Sequence, residues 1–282
     1  MQLALTESEL SSEISALLLG CNGRHLRSSP AFLPPDIVPF FYSLPFLTSP
    51  NSLPQTLPLG LTSLLGGAVD AGRLYTATLE AVQCIWTSDG QVAQALKQAV
   101  RAQLSAYYEE LAQLHAPGEQ KSVHSALCEY AEAALPRLRL LELVVTEARD
   151  ASPIQAINCL TRRLMLPSEA PIIRPILEAA MAPYVEQLKA WLLEGSLNDP
   201  MGEFFVLAST TEKLEDWWSG RYRLEAANVP RCLPAHLAAL ALRIGKYRNF
   251  RSVVCKTRHQ SPPSLRALDQ LSVGALAFMG GG

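Results

Sequence analysis

Apolar residues recur at every third or fourth position along most of this chain. The repeat is clearest where the apolar positions are Val92, Leu96, Val100, Leu104, Tyr107, Leu111 and Leu114. Because this spacing places the apolar side chains on one face of a helix, it predicts an amphipathic α-helix. Similar stripes predict helices in residues 6–19, 61–82, 122–148, 153–165 and 177–191.

A last helix is predicted to begin at Pro234, a residue that suits the first turn of a helix. Its spacing predicts a core-facing stripe made of Leu237, Leu240, Ala241, Ile244 and Tyr247.

Prolines interrupt the helical pattern in three places. Residues 22–58 are rich in proline and serine and are interpreted as an irregular connector within the helical domain. Pro136 is expected to divide or kink its helix. Pro183 is expected to kink its helix or to separate two abutting helices, since proline removes a backbone donor and clashes with the preceding turn.

Strand signals are confined to two short segments, "EFFVL" at 203–207 and "RYRLE" at 221–225. They could pair as a small hairpin or remain unpaired. Strands do not alternate with helices along the chain, which argues against a doubly wound sheet. The pattern therefore predicts an all-α fold of about eight helices and does not decide whether one short β-hairpin forms.

The composition narrows the class of protein. Of the 282 residues, 49% are hydrophobic, which favours a substantial core over a disordered chain. The net charge of −2 argues against nucleic acid as a partner. The apolar runs are shorter than the roughly 18–20 residues that span a membrane, so no membrane partner is expected. The six cysteines are scattered without a CxxC pair, which favours reduced thiols in a cytosolic protein.

Asp199 and Glu203 are four residues apart, so they would share one face of a helix as a catalytic acid pair. Pro200 between them favours a structural role, in which Asn198 or Asp199 caps a helix, Pro200 lies in its first turn and Glu203 closes the cap. The five histidines and the glycines match no metal, nucleophile or phosphate-binding motif. The chain is therefore not expected to be an enzyme or to bind a cofactor or metal.

Positive charge is concentrated in residues 221–258. This stretch holds nine basic residues and one acidic residue, so it carries +8 while the whole chain carries −2, which leaves −10 elsewhere. The interpretations are a solvated surface, a docking face for an acidic partner surface and, third, a nucleic-acid site. The candidate docking face consists of Arg243, Lys246, Arg248 and Arg251. The aromatic residues of "DWWSGRYRL" fit either a core or an interface.

Three segments together resemble the gamma-tubulin complex component family: "LKAWLLEGSLNDPMGEFFV", "WWSGRYRL" and "VPRCLPAHLAALALRIGKYRNFRSVV". Each element alone is weak, but their order and spacing together are specific. The positions that match the family pattern are Trp191, Gly195, Asp199, Pro200, Glu203, Phe204, Phe205, Trp218, Tyr222, Leu224, Pro230, Gly245, Lys246 and Asn249. The likeness covers roughly residues 7–255, and the short gap between "EFFV" and "WW" resembles components 2 and 3.

The resemblance implies a fold and a role. The fold would be an N-terminal Grip domain of stacked helical bundles over residues 1–255, followed by a tail at 256–282 that is expected to be flexible. The role would be that of a structural component of the gamma-tubulin complex, which nucleates microtubules and organises their minus ends. The location would be the cytoplasm and cytoskeleton, at the spindle pole and other microtubule-organising centres.

The implied partners are other gamma-tubulin complex components, through lateral contacts, and microtubule minus ends through the complex. The family holds gamma-tubulin in a C-terminal Grip domain that this sequence is expected to lack, so gamma-tubulin would be an indirect partner. Two alternatives remain beside this interpretation. The chain would be a truncated family fragment, or an unrelated α-helical adaptor without gamma-tubulin binding.

Overall fold

A computed structural model describes residues 7–21, 59–84, 90–114, 123–149, 151–209, 218 and 220–253. The connector expected at 22–58 and the tail expected at 256–282 lie outside these described residues. The described residues form seven α-helices: α1 (Glu7–Leu18), α2 (Leu59–Cys84), α3 (Gln91–Gln113), α4 (Val123–Arg149), α5 (Pro153–Arg163), α6 (Ala170–Glu194) and α7 (Ala235–Val253).

Two short strands complete the fold between α6 and α7. Strand β1 (Val206–Ala208) pairs antiparallel with β2 (Tyr222–Leu224), and Leu207 lies opposite Arg223. A single turn of 3₁₀-helix follows at Ala226–Asn228. The prediction of an all-α fold with a small hairpin is therefore confirmed.

Helices α4 and α6 continue through their internal prolines. Pro136 lies inside α4, and Pro175 and Pro183 lie inside α6. The expectations of a divided helix at Pro136 and of two abutting helices at Pro183 are therefore wrong. Around Pro183 the helix is held by its buried neighbours Met181 and Tyr184, so tertiary packing outweighs the lost backbone hydrogen bond.

The described residues divide into two compact units, the first within 1–83 and 101–145 and the second within 84–100 and 146–282. In the first unit, Tyr107 is fully buried and its hydroxyl donates to the carbonyl of Leu18 at 2.9 Å. Its ring lies 5.4 Å from the ring of Tyr75 and 5.6 Å from that of Tyr130. Helices α2, α3 and α4 thus contact one another through tyrosine rings, and α1 is joined to them by the hydrogen bond to the Leu18 carbonyl.

The core of the second unit is built from α5, α6, α7, the hairpin and the first turns of α3. Helix α5 begins with a capping box, in which the Ser152 side chain accepts from the backbone of Gln155 and the Gln155 side chain accepts from the backbone of Ser152. At the end of α5, Arg163 bonds Glu147 at 2.6 Å and Glu169 at 3.1 Å. The largest fully buried side chains of this unit are Trp191, Tyr184, Phe205 and Ile154.

Helix α7 buries a different face from the one that its apolar pattern predicts. The buried positions are Ala238, Ala241, Gly245 and Arg248, whereas Leu240 and Tyr247 are exposed. The predicted core stripe is therefore wrong at Leu240 and Tyr247. The reason is steric, because α7 packs its smallest residues against the indole of Trp191.

Candidate functional site

Trp191 joins α6 to α7 at the centre of the second unit. It is fully buried, and its indole N–H donates to the carbonyl of Ala241 at 3.0 Å. Gly245 lies directly under the indole, where any added Cβ would collide with the Trp191 ring. The ring of Tyr222 meets the indole edge-on, with 4.9 Å between the ring centroids. This contact requires a glycine at 245 and a large aromatic residue at 191.

Gly195 ends α6 in a left-handed conformation, with φ of 69°. Its N–H bonds the carbonyl of Trp191 at 3.0 Å, which is a typical glycine C-cap. The Asn249 side chain donates to the carbonyl of Gly195 at 2.8 Å. An added Cβ at Gly195 would collide with the backbone of Asn249. The end of α6 and the last turns of α7 therefore touch backbone to backbone.

Asp199 organises the turn that follows α6. Its carboxylate accepts from the N–H of Glu203 at 3.0 Å and from the N–H of Phe204 at 2.7 Å. Gly202 provides the left-handed residue of the turn, with φ of 69°. The expected helix start at Asn198–Asp199 is wrong, because residues 199–205 form a turn that leads directly into β1. Asp199 satisfies backbone donors as a helix cap would, but in a turn.

Glu203 caps a helix that lies far away in the sequence. Its carboxylate accepts from the N–H of Val92 at 2.8 Å and from the N–H of Ala93 at 3.2 Å, at the first turn of α3. Gly90 makes room for it, since an added Cβ there would collide with the carboxylate. A negative group at this position also complements the positive end of the helix dipole. The sequence pattern predicts that Glu203 closes a cap on its own segment. This prediction is wrong, because the carboxylate caps α3 instead.

Replacing Glu203 by Gln tests this cap. The change keeps the size of the side chain but removes its charge and one of its two acceptor oxygens, so we expect a loss of about 1 kcal/mol in the free energy of unfolding. Urea denaturation measures this loss. Glu186→Gln is the matched control, because Glu186 is 70% exposed and forms a surface pair with Lys189. An equal loss in both variants would contradict the capping role.

Phe204 and Phe205 fix the start of the hairpin to α6. Both are buried, with ring centroids 4.4 Å apart, and Phe204 lies 5.2 Å from the ring of Tyr184. The Tyr184 hydroxyl donates to the carbonyl of Asn228 at 3.0 Å. The Asn228 side chain in turn bonds the carbonyls of Gly202 and Phe204. The segment after Asp199 is therefore held on both sides by aromatic packing and hydrogen bonds.

Because the hydroxyl of Tyr184 is buried, we expect the protein to lose stability at alkaline pH. Burial, with smaller contributions from Cys232 and Asp199, raises the pKa of Tyr184 well above its ordinary value. The unfolded chain releases this proton near the ordinary pKa of about 10, so the folded state loses stability as pH rises above that value.

The measurement is the free energy of unfolding at a series of pH values from neutral to strongly alkaline. We expect Tyr184→Phe to flatten the alkaline decline, since the residue no longer titrates. Tyr247→Phe is the matched control, because it removes the same hydroxyl from a position that is 51% exposed. A slope that is identical in the wild type and Tyr184→Phe would contradict the effect.

A small cleft of about 90 Å³ borders this turn, between Pro183, Tyr184, Pro200 and Met201. Asp199 and Glu203 also line it, but both carboxylates are engaged with backbone N–H groups. Within the described residues, no three His, Cys, Asp or Glu side chains are grouped to hold a metal ion. We call Trp191, Gly195, Asp199, Glu203 and Gly245 the joint. Its geometry is structural, because its polar groups form hydrogen bonds with the backbone.

The remaining motif residues lie around this joint. Pro230 is buried and its carbonyl accepts from the N–H of Leu233 at 2.9 Å. Trp218 is 52% exposed, and its carbonyl accepts from the ammonium of Lys246 at 3.0 Å. Burial lowers the pKa of Lys246. The hydrophobic residues of the motif are thus divided between the core, at Trp191 and Tyr222, and the surface, at Trp218.

The four residues of the candidate docking face differ in their exposure to solvent. Arg243 is exposed, while Lys246 and Arg251 are half-buried. Arg248 is only 8% exposed, because it follows Ala241 and Gly245 on the buried side of α7. The inclusion of Arg248 in an exposed docking face is therefore wrong. The spacing of three and four residues from Ala238 through Ala241 and Gly245 could have indicated this inward position.

Comparisons with known proteins identify the family of this sequence. A family model for the gamma-tubulin complex component N-terminal region matches residues 12–276. The chain is 30% identical over 182 residues to gamma-tubulin complex component 3 of Arabidopsis thaliana, which covers 59% of this chain and 22% of the relative. It is 25% identical over 266 residues to component 2 of Mus musculus, which covers 88% of this chain and 28% of the relative.

Spindle pole body component 98 of Dictyostelium discoideum is 27% identical over 84 residues, which cover 30% of this chain and 10% of that protein. The matched region spans less than a third of the length of each of these relatives. Their names describe components of cytoskeletal assemblies, and none names an enzyme. No helix among the described residues combines the length and the apolar character needed to cross a membrane. The family match extends over most of the sequence, and the chain therefore belongs to the gamma-tubulin complex component family.

Proposed function

We propose that this chain is a structural component of a gamma-tubulin complex and supports microtubule nucleation through lateral contacts with neighbouring components. The observation that carries the proposal is the family match over residues 12–276, which identifies the chain with the N-terminal region of these proteins. The relatives are named as gamma-tubulin complex and spindle pole body components. The proposed location is therefore the microtubule-organising centre, where the complex would organise minus ends.

The joint around Trp191 supports a geometric role. Glycines at 195 and 245 allow α6 and α7 to approach closely, and the Glu203 carboxylate fastens the start of α3 to the same turn. Close-packed interiors of this kind resist deformation. A rigid helical stack of this type would hold the contact surfaces of neighbouring subunits at a fixed spacing and angle.

Gamma-tubulin would be reached through the neighbouring components. The family places its gamma-tubulin contact in the C-terminal Grip domain, whereas residues 12–276 match the N-terminal region. We therefore propose that this region contributes the side-to-side contacts of the assembly and that its contact with gamma-tubulin is indirect.

A binding experiment with purified proteins tests the proposal. The chain is mixed with the N-terminal regions of gamma-tubulin complex components 2 and 3, and in parallel with gamma-tubulin alone, and complexes are measured by size-exclusion chromatography with light scattering. We expect a complex with at least one component and none with gamma-tubulin alone. A chain that stays monomeric beside both components would contradict the lateral role, and binding to gamma-tubulin alone would contradict the indirect contact.

Nucleation is tested in the same system. Assemblies of the components with gamma-tubulin are supplied to tubulin with and without the chain, and the lag before polymerisation is followed by turbidity. We expect the chain to shorten the lag only when the other components are present. An unchanged lag at saturating chain would contradict a role in nucleation.

A further inference from the structure

The outer face of α7 is exposed although it carries large apolar side chains. Leu240 is 47% exposed and Tyr247 is 51% exposed, and Arg243 lies between them on the same face. Their spacing of three and four residues places all three side chains on one side of the helix. The side of α7 that its apolar pattern would assign to a core is thus exposed. The buried side consists mainly of small residues.

Trp218 and two further cations belong to the same region. Trp218 is 52% exposed, and Lys246 on α7 donates to its backbone carbonyl. The guanidinium of Arg251 lies 5.9 Å from the centre of the Tyr247 ring. Trp, Tyr and Arg are the residue types most enriched among the energetically important positions of protein interfaces. We call the set Trp218, Leu240, Arg243, Lys246 and Tyr247 the α7 face.

The charge of α7 restricts what can bind this face. The helix carries four basic residues and no acidic residue between Ala235 and Val253. Two copies that met through identical α7 faces would place like charges opposite one another, which disfavours a symmetric contact through this helix. The partner surface must therefore be acidic and must offer an apolar contact for Leu240 and Tyr247.

The chain itself carries a surface of this chemistry, on α3 and α4 of the first unit. Residues 102–114 and 123–136 contain four acidic residues, Glu109, Glu110, Glu129 and Glu132, and neither lysine nor arginine. All four are exposed, and the neighbouring Tyr108 is 52% exposed. Glu110 lies where α3 meets α4. Its carboxylate accepts from the Tyr130 hydroxyl at 2.9 Å and pairs at 3.0 Å with Arg137, the residue directly after this stretch. We call this surface the acidic α3–α4 face.

We propose that the α7 face of one molecule binds the acidic α3–α4 face of a second copy of the chain. The contact joins two different surfaces, so a pair of copies keeps one free α7 face and one free α3–α4 face, and further copies can be added in the same direction. This inference rests on the proposed function, because it names the surfaces that a lateral contact between like subunits would use.

Charge reversal with complementation tests the contact. One variant carries Arg243→Glu and Lys246→Glu, and the other carries Glu109→Lys and Glu129→Lys. Self-association of the purified full chain is followed by sedimentation velocity over about a hundredfold range of concentration, at low and at high ionic strength. We expect wild-type association to weaken with salt, and each variant alone to associate at least about tenfold more weakly.

A mixture of the two variants should associate again, because the reversed α7 face of one then meets the reversed α3–α4 face of the other. This rescue separates a direct contact from damage to the fold, which circular dichroism checks in each variant. The control carries Arg149→Glu and Arg174→Glu, two exposed arginines outside both faces, with the same change in net charge as the α7 variant. It should associate like the wild type.

The inference is overturned if the wild-type chain remains monomeric, if the mixture fails to associate, or if the control is weakened as much as the variants. Binding to components 2 and 3 distinguishes the two proposals. If the chain binds these components but does not associate with itself, only the contact between copies is refuted. If it binds neither component and does not associate with itself, the proposed function is refuted as well.

Discussion

Replacing Trp191 by Ala should destabilise the chain by about 3–5 kcal/mol, the range measured for large aromatic residues removed from cores. The indole is fully buried, and its N–H donates to the carbonyl of Ala241. The variant leaves a cavity between α6 and α7 and removes the donor to that carbonyl. A loss of this size is a large part of the total stability of a typical domain. Urea denaturation followed by circular dichroism measures it.

Trp218→Ala is the matched control for this prediction, because it removes the same side chain from a position that is 52% exposed. We expect it to change the free energy of unfolding by no more than about 0.5 kcal/mol, as is usual for surface substitutions. Similar losses at the two positions would show that Trp191 does not hold α6 and α7 together.

Replacing Gly195 by Ala is expected to cost about 2–5 kcal/mol. A residue with a Cβ pays roughly 1–2 kcal/mol for a left-handed conformation, and Gly195 has a φ of 69°. The added methyl group would also collide with the backbone of Asn249, and overpacking of a tight contact adds about 1–3 kcal/mol. The backbone of α7 cannot rotate away as a side chain could, so the two helices must separate.

Gly202 provides the control that separates these two costs. It has the same φ of 69°, but a Cβ added there would have its nearest neighbour, a methyl group of Leu207, at 3.7 Å. Gly202→Ala should therefore show only the backbone cost of about 1–2 kcal/mol. Equal losses at Gly195 and Gly202 would mean that the contact with Asn249 adds nothing.

Local patterns predicted the helices and the hairpin well. The stripe from Val92 to Leu114 predicted α3 (Gln91–Gln113) to within a residue at each end, since helical periodicity depends only on neighbours in the sequence. The two segments proposed as strands pair as β1 and β2. The continuous helices through Pro136 and Pro183 could not be predicted in this way, because packing against other elements holds them together.

The contacts of the joint depend on residues that are distant in the sequence. Nothing near Glu203 indicates that its carboxylate caps α3, although α3 has no acidic residue in its own first turn. The packing of Gly245 under Trp191 likewise decides which face of α7 is buried. A count of apolar residues favours the face with Leu240 and Tyr247, whereas the space under the indole admits only small side chains.

The position of the α3 cap has a consequence for synthesis of the protein on the ribosome. Val92 and Glu203 are separated by 111 residues in the chain. At a translation rate of about 5–20 residues per second, the capping carboxylate is synthesised roughly 6–22 seconds after the start of α3. The first amides of α3 remain open to solvent or to chaperones during that interval. The nascent helix should therefore fray at its start until the turn at Asp199 has formed.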